Sequence, residues 1–291
     1  MGEKSCQPEG LHTCFIVLGT LKPMPIPATQ SVRSPAVAGL FYPADPGTLA
    51  RTVSGLLGSA PARAARAPKA IIAPHAGYVY SGPIAASAYA LLAPVRDTIK
   101  RVILLGPTHR VAVRGLAVPS VGRFATPLGA VDLDTAALDS LRALPQVVVS
   151  DDAHALEHSL EVHLPFLQTV LREFKLVPLA VGRADAREVA AVLDAVWGGP
   201  ETLIVVSSDL SHYLPYGEAQ SIDRATCEAI VAFDTDVDHE QACGATPVCG
   251  LALTARRRHL QAELLDLRNS GDTAGDKNRV VGYASFAFYE N

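Results

Sequence analysis

The stretch "IIAPHAGYVYSG", Ile71–Gly82, decides the fold. An uninterrupted apolar run enters a proline, then a histidine. A short continuous run of this kind reads as a strand buried on both faces. His75 then stands in the loop where that strand ends. The arrangement recurs. "VILLGPT" leads to His109, and "LIVVSS" leads to Asp209 and, three residues on, to His212. In open α/β sheets ligands bind outside the carboxyl ends of the strands, so these three loops belong on one edge of the sheet. If the strands are neighbours, the imidazoles converge. One histidine at a strand end usually just satisfies a backbone carbonyl. Three such loops in a chain with nine histidines point to a site. Imidazole is the commonest protein metal ligand, so metal binding is the first expectation and acid–base chemistry the second.

Outward from that stretch, strands alternate with helices. "DPGTLARTVSGLL" carries Asp45 as N-cap and Pro46 at the first helical position. "KAIIAP", "RVILLGP", "GLAVPS", "QVVVS", "KLVPLAVG" and "ETLIVVSSD" read as strands. "PIAASAYALLA", "VDLDTAALDSLRAL" and "DAREVAAVLDAVWG" read as helices, and two or three more fall between Glu218 and about Leu260. "AELLDLRNS" and "VVGYASFAFYE" close the chain as consecutive strands, so part of the sheet is antiparallel. The expectation is a single α/β domain over residues 31–291, with a mainly parallel central sheet flanked by helices.

Composition narrows the function classes. The chain has 291 residues, 49% of them hydrophobic, and a net charge of -4. Its 25 basic residues are scattered, and the one short cluster, Arg256–Arg258, reads as a solvated helix face, so no nucleic-acid partner is expected. No apolar run reaches the roughly 18 residues of a membrane span. The five cysteines have no framework spacing, which makes a reducing cytoplasm the expected location. Residues 1–30, with the proline-rich "KPMPIPATQ", read as a disordered extension, and a start at Met24 is the alternative.

The segment "AHALEHSLEVHLPFLQTVLREF" has helical periodicity. On one helix, His154, Glu157, His158 and Glu161 share a face, and Leu156, Leu160, Leu164 and Leu167 share the other. This arrangement would send His158 and Glu161 together into a polar pocket. Pro165 would kink the helix and free the Glu161 carbonyl. In "QACGATPVCG", Cys243 lies in a turn before a helix that starts near Pro247, where its thiol is available. Cys249 lies within that helix and packs.

Several blocks together resemble the Memo family: "PAVAGLFYP", "KAIIAPHAGYVYSG", "VILLGPTH", "EHSLEVHLPF", "VVSSDLSHY", "ACGATPVCG" and "SGDTAGDKNRVVGYASFAF". The likeness runs from about Arg33 to Phe288. It implies a fold similar to the class III extradiol dioxygenases, with the site at one sheet edge. It places metal ligands on His75, His109 and Cys243, with Asp209 and His212 as further pocket residues. It also implies non-haem iron or copper as the metal. For partners it implies a radical SAM protein and an AMMECR-type protein, as in the AmmeMemoRadiSam system, or phosphotyrosine peptides. Leu40 departs from the serine common in the family's "AGSFYP", and Phe41 is either a lid over the pocket or a core aromatic.

A thiol in place of the ring-cleaving enzymes' carboxylate softens the site toward copper or zinc without excluding iron. The expected function is therefore a metal-dependent oxidoreductase acting on an unidentified small molecule. In it His212, backed by Asp209, serves as the acid–base group, and His158 and Glu161 line the pocket. The alternatives are a non-catalytic module that binds a peptide or partner protein, and a metal-dependent hydrolase.

Overall fold

The structure is a computed structural model that describes residues 1–2, 31–63 and 66–290. The N-terminal extension expected over residues 1–30 lies almost wholly outside the described residues. The elements run β1 (Val32–Arg33), α1 (Pro46–Gly58), β2 (Ala70–Ala73), α2 (Tyr78–Tyr89), β3 (Arg101–Pro107), β4 (Leu116–Val118), β5 (Arg123–Thr126) and β6 (Gly129–Asp132). They continue with α3 (Thr135–Leu141), β7 (Val147–Val149), α4 (Asp152–Ala155), α5 (Leu164–Val170), β8 (Lys175–Val181), α6 (Ala186–Val196) and β9 (Thr202–Ser207). The chain closes with β10 (His212–Leu214), α7 (Tyr216–Val231), α8 (Ala245–Arg257), β11 (Gln261–Asn269) and β12 (Val280–Tyr289).

The main sheet has nine strands in the order β10-β12-β2-β9-β3-β8-β4-β7, with β11 on the far side of β12. Its centre, β2-β9-β3-β8, is parallel, and the flanking pairs β12–β2 and β4–β8 are antiparallel. The strands at the centre are almost wholly buried apolar runs, as a sheet covered on both faces requires. A small sheet, β1-β5-β6, packs beside it. Its β5–β6 hairpin turns at Gly129, and "RFATPLGAVD" carries too weak an apolar alternation to be legible as strands in the sequence. Asp45 caps α1 as expected, and Asp185 with Glu188 forms a full capping box on α6. Among the described residues, no helix is long and apolar enough to cross a membrane.

One expectation fails. The single helix expected over residues 153–174 does not form. α4 lasts a single turn, residues 156–160 run irregularly, Glu161–His163 makes a 3-10 turn, and α5 follows. The cause is tertiary. The Arg33 guanidinium takes the backbone carbonyls of His154 (2.8 Å) and Glu157 (2.7 Å), which a continuing helix would need. The Glu157 carboxylate in turn takes the N–H groups of His158 (2.9 Å) and Ser159 (3.0 Å). Pro165 therefore sits in the first turn of α5 and causes no kink. The Glu161 carbonyl is not free either, because it accepts the Leu164 N–H.

Glu161 is fully buried, and its carboxylate accepts from Arg33, the Tyr42 hydroxyl and the backbone N–H groups of Ala36 (2.7 Å) and Val37 (3.0 Å). It ties the Arg33–Tyr42 segment to the domain instead of lining a pocket. Burial, followed by the hydrogen bond to Glu161, pushes the Tyr42 phenol up, so Tyr42 remains a donor. Removing one partner of a buried pair typically costs about 3–5 kcal/mol. Glu161→Gln is therefore expected to lower the melting temperature by roughly 6–15 °C in a domain of this size. A shift under about 2 °C in calorimetry would show that the pair is not holding this segment.

Candidate metal centre

β9 lies between β2 and β3, so the three loops that carry His75, His109 and Asp209 emerge side by side at the carboxyl ends of parallel strands. The His75 and His109 ring centroids are 5.2 Å apart. Cys243 arrives from the turn before α8, two residues ahead of that helix and four before the start expected near Pro247. Gly244 makes the approach possible: a Cβ there would meet the Ser207 carbonyl oxygen at 2.5 Å and the Ser208 Cβ at 2.6 Å. Ligand atoms of His75, His109 and Cys243 all lie within 4.8 Å of one another.

The hydrogen bonds fix which nitrogen of each ring is free. Ser207 donates its hydroxyl to the Ser159 carbonyl at 2.7 Å, so it accepts from His75 Nδ1 at 2.6 Å. His75 Nε2 thus carries a lone pair, and it faces Cys243 Sγ at 3.3 Å. His109 Nδ1 donates to the Glu157 carboxylate at 2.9 Å, and its backbone N–H meets the other carboxylate oxygen. Its Nε2 is likewise left as the available donor atom. Both imidazoles are therefore the same tautomer, oriented by the protein before anything binds.

Charge in this pocket is tuned toward neutrality. Burial lowers His75 well below the ordinary imidazole range, and the neighbouring His109 and His158 add to the effect. Burial, followed by the Asp209 charge, raises the Cys243 thiol to about 12. Burial raises Asp209 to about 7, against hydrogen bonds from the backbone N–H groups of His75 and Ala76. Glu157 is the exception. Burial would raise it, but the hydrogen bonds from His109 and Ser159 outweigh burial and hold it near 2.

The other expected pocket residues divide. His158 is at the site. Its ring stacks on His109 at 4.6 Å and lies 5.5 Å from His75, with Phe41 against it at 4.7 Å. Burial lowers His158 to about 4. Phe41 is half-buried over this ring, so it covers the pocket and is not a deep core aromatic. Glu161 is not at the pocket, as its hydrogen bonds show. Asp209 does not orient His212. Its Oδ1 accepts the His75 N–H at 2.7 Å, and its backbone N–H reaches Cys243 Sγ at 3.3 Å. The His212 ring is half-buried at this edge, and burial lowers it from the ordinary imidazole value. The stretch "SSDLSH" is largely buried, with Ser208, Asp209 and Ser211 all inside. Glu157, which sets the His109 tautomer, stands in the sequence only as one acid on a supposed helix face. Ser207 closes a strand with nothing to distinguish it.

A protein-family model for a Memo-like protein matches residues 33–287. This chain belongs to the Memo-like family. A MEMO1 family protein of Aquifex aeolicus is 36% identical over 269 residues, 88% of this chain and 99% of that protein. The MEMO1 family protein MK0963 of Methanopyrus kandleri is 36% identical over 282 residues, 88% and 98% of the two chains. One from Archaeoglobus fulgidus is 35% identical over 271 residues, 88% and 99%. An uncharacterized protein of Escherichia coli K12 with a solved structure is 13% identical with a TM-score of 0.48, over 76% of this chain and 99% of that one. The Memo-like match begins at Arg33, the residue whose guanidinium opens the 154–161 segment.

The tautomer assignment can be checked directly. In metal-free protein, 15N-detected imidazole correlations should show His75 as the neutral Nδ1–H form from about pH 5.5 to 8, because burial penalises the imidazolium. An Nε2–H signal, or a charged ring above pH 6, would refute the Ser207–His75 arrangement.

Proposed function

We propose that this Memo-like protein is a metal-dependent redox enzyme in which His75, His109 and Cys243 hold iron or copper. One observation carries the reading. One buried imidazole and one at the exposed rim are pinned through Nδ1, which leaves their Nε2 atoms available, and a thiol stands 3.3 Å from the buried one. The donor set fits such a cation. Imidazole suits iron, copper and zinc, and thiolate favours the softer members of that group. The Glu157–His109 pair is the carboxylate–histidine arrangement that typically raises ligand basicity at metal centres. The Asp209 N–H directed at the sulfur suits a thiolate. The second grouping, His109, Glu157 and His158, is the weaker one, since it draws on a carboxylate already engaged by four N–H donors.

Bound iron or copper would supply one-electron redox chemistry. The chain's own part is positioning and proton handling. His158, neutral at pH 7 and beside both ligand imidazoles, is placed to take a proton from a substrate in the pocket. His212, half-buried at the same edge, is the second group that can hold one. Phe41 shields the His158 ring from water.

A second reading has its own observation. Leu40, Val79, Tyr80, Leu156 and Tyr213 are exposed large apolar residues, each within five positions of His75, Phe41, Glu157 or His212. Exposed apolar side chains on the segments that carry the site suit contact with a peptide or partner protein. Peptide affinity that survives the loss of Cys243 would favour it.

Two measurements test the redox reading. Protein purified without oxygen should contain close to one iron or copper per chain by elemental analysis, and Cys243→Ala should contain almost none. Equal metal content in both would sink the assignment. Because the thiol is raised to about 12, binding must displace its proton. Affinity should then rise about tenfold per pH unit between about pH 6 and 8, where His75 is already neutral. Glu157→Gln should weaken metal affinity by roughly 10- to 100-fold in a chelator competition, with the ligands intact.

A further inference from the structure

We propose that the groove leading from the metal-ligand cluster to Arg183 receives the carboxylate of a small organic acid, with Arg183 as the anion-holding residue. The proposal rests on the metal reading of His75, His109 and Cys243 for where the acid's reactive end lies, but the anion site itself does not depend on it. The groove encloses about 510 Å3. Its polar lining comes from Thr108, His109, His239, Cys243 and Arg183, and among the described residues no acidic side chain lines it. The ligand imidazole and thiol thus share one cavity with one permanent cation.

Arg183 is exposed, and its guanidinium has no ion pair or hydrogen bond among the described residues. Its backbone, by contrast, is fixed. The Arg183 N–H donates to the Val113 carbonyl at 2.7 Å, and its own carbonyl accepts the Gly115 N–H at 2.9 Å. The preceding Gly182 lies so close to Val113 that a Cβ would meet its carbonyl oxygen at 2.2 Å. The end of β8 is therefore locked in place, and only the long side chain is free to reach a ligand. A planar guanidinium on a rigid base suits a carboxylate, which it can hold through two parallel N–H donors.

The surroundings favour a carboxylate over a phosphate. His239 is already engaged, with one ring nitrogen at the Cys243 carbonyl (3.3 Å) and the other at Thr246 (3.2 Å). Arg114 does not line this groove; it borders the adjoining one, which Arg183 also borders together with Asp185 and Glu188. Among the described residues Arg183 is the one guanidinium lining this groove, which matches a monoanion. Pro107, Ala112, Val113 and Val181 give the rest of the groove carbon walls that suit the body of an organic acid.

The test uses the full chain, with benzoate as probe, benzamide as its neutral isostere and inorganic phosphate as the competing anion. Each is titrated by calorimetry against wild type, Arg183→Ala and Arg183→Lys. Benzoate should bind wild type, bind Arg183→Ala at least about tenfold more weakly, and bind Arg183→Lys in between. Benzamide and phosphate should both bind more weakly than benzoate. Metal content should be the same in all three proteins, since Arg183 is not a ligand. Equal benzoate affinity in wild type and Arg183→Ala, or phosphate or benzamide binding better than benzoate, overturns the proposal. If the wild type takes up no metal but benzoate binding still depends on Arg183, the metal reading fails alone. If metal loads normally and benzoate ignores Arg183, this proposal fails alone.

Discussion

A single guanidinium keeps residues 156–160 out of a helix, and the pocket depends on that. Arg33 occupies the carbonyls of His154 and Glu157 and pairs with the fully buried Glu161. The His154 carbonyl accepts the guanidinium and only a 3.3 Å bond from the Glu157 N–H, and the backbone leaves the helix there. The segment turns inward, and Glu157 meets His109 while His158 stacks beside it. Were the helix continuous, Glu157 and His158 would stay on the outer face of a rod. The Arg33 side chain is buried at 5% exposure, so its charge is affordable only because a carboxylate and two carbonyls surround it. The same ion pair fastens the segment from which Phe41 reaches the His158 ring.

The parts of the site carried by strand ends were legible in the sequence, and the parts carried by irregular chain were not. His75 and His109 follow continuous apolar runs, and the rule that parallel strands present ligands at their carboxyl ends needs no knowledge of partners. The Cys243 assignment came from the family likeness, because a thiol in a turn has no periodic signature. The 153–174 segment was misread for a clear reason: its apolar spacing is helical, but its hydrogen bonds are decided by Arg33, more than 120 residues earlier. Periodicity reports which residues can be buried and says nothing about a distant side chain that takes backbone acceptors. Glu161 illustrates the same gap. An acid near histidines suggests chemistry, yet here it organises the N-terminal strand of the domain.

The pocket's electrostatics have a common sign. Burial drives His75 and His158 down, Cys243 up and Asp209 up, so each is pushed toward its neutral form. Only Glu157 is held charged, and the donors that hold it are N–H groups of His109 and its own neighbours. A pocket built this way gains most from a cation. Bound charge would favour ionised Cys243 and Asp209 together and leave His75 and His158 in the neutral state they already occupy.

The sulfur also decides how far the fold can be pressed as a guide to chemistry. A carboxylate is close at hand, since Asp209 Oδ2 lies 3.9 Å from His75 Nε2. Two histidines with that carboxylate would make a hard set suited to iron(II) oxygen chemistry. Yet Asp209 Oδ1 is taken by the His75 N–H, and burial raises its carboxyl to about 7, so it competes poorly as a free ligand near neutral pH. Cys243 stands closer, 3.3 Å from the same nitrogen, with the Asp209 N–H aimed at it. The geometry thus places a soft donor first and keeps the carboxylate behind it, hydrogen-bonded to the His75 N–H, while the Asp209 backbone carbonyl accepts the Cys243 N–H at 3.2 Å. Asp209 is best understood as the brace that holds His75 and Cys243 in register. Ring cleavage by a two-histidine, one-carboxylate centre does not follow from this arrangement.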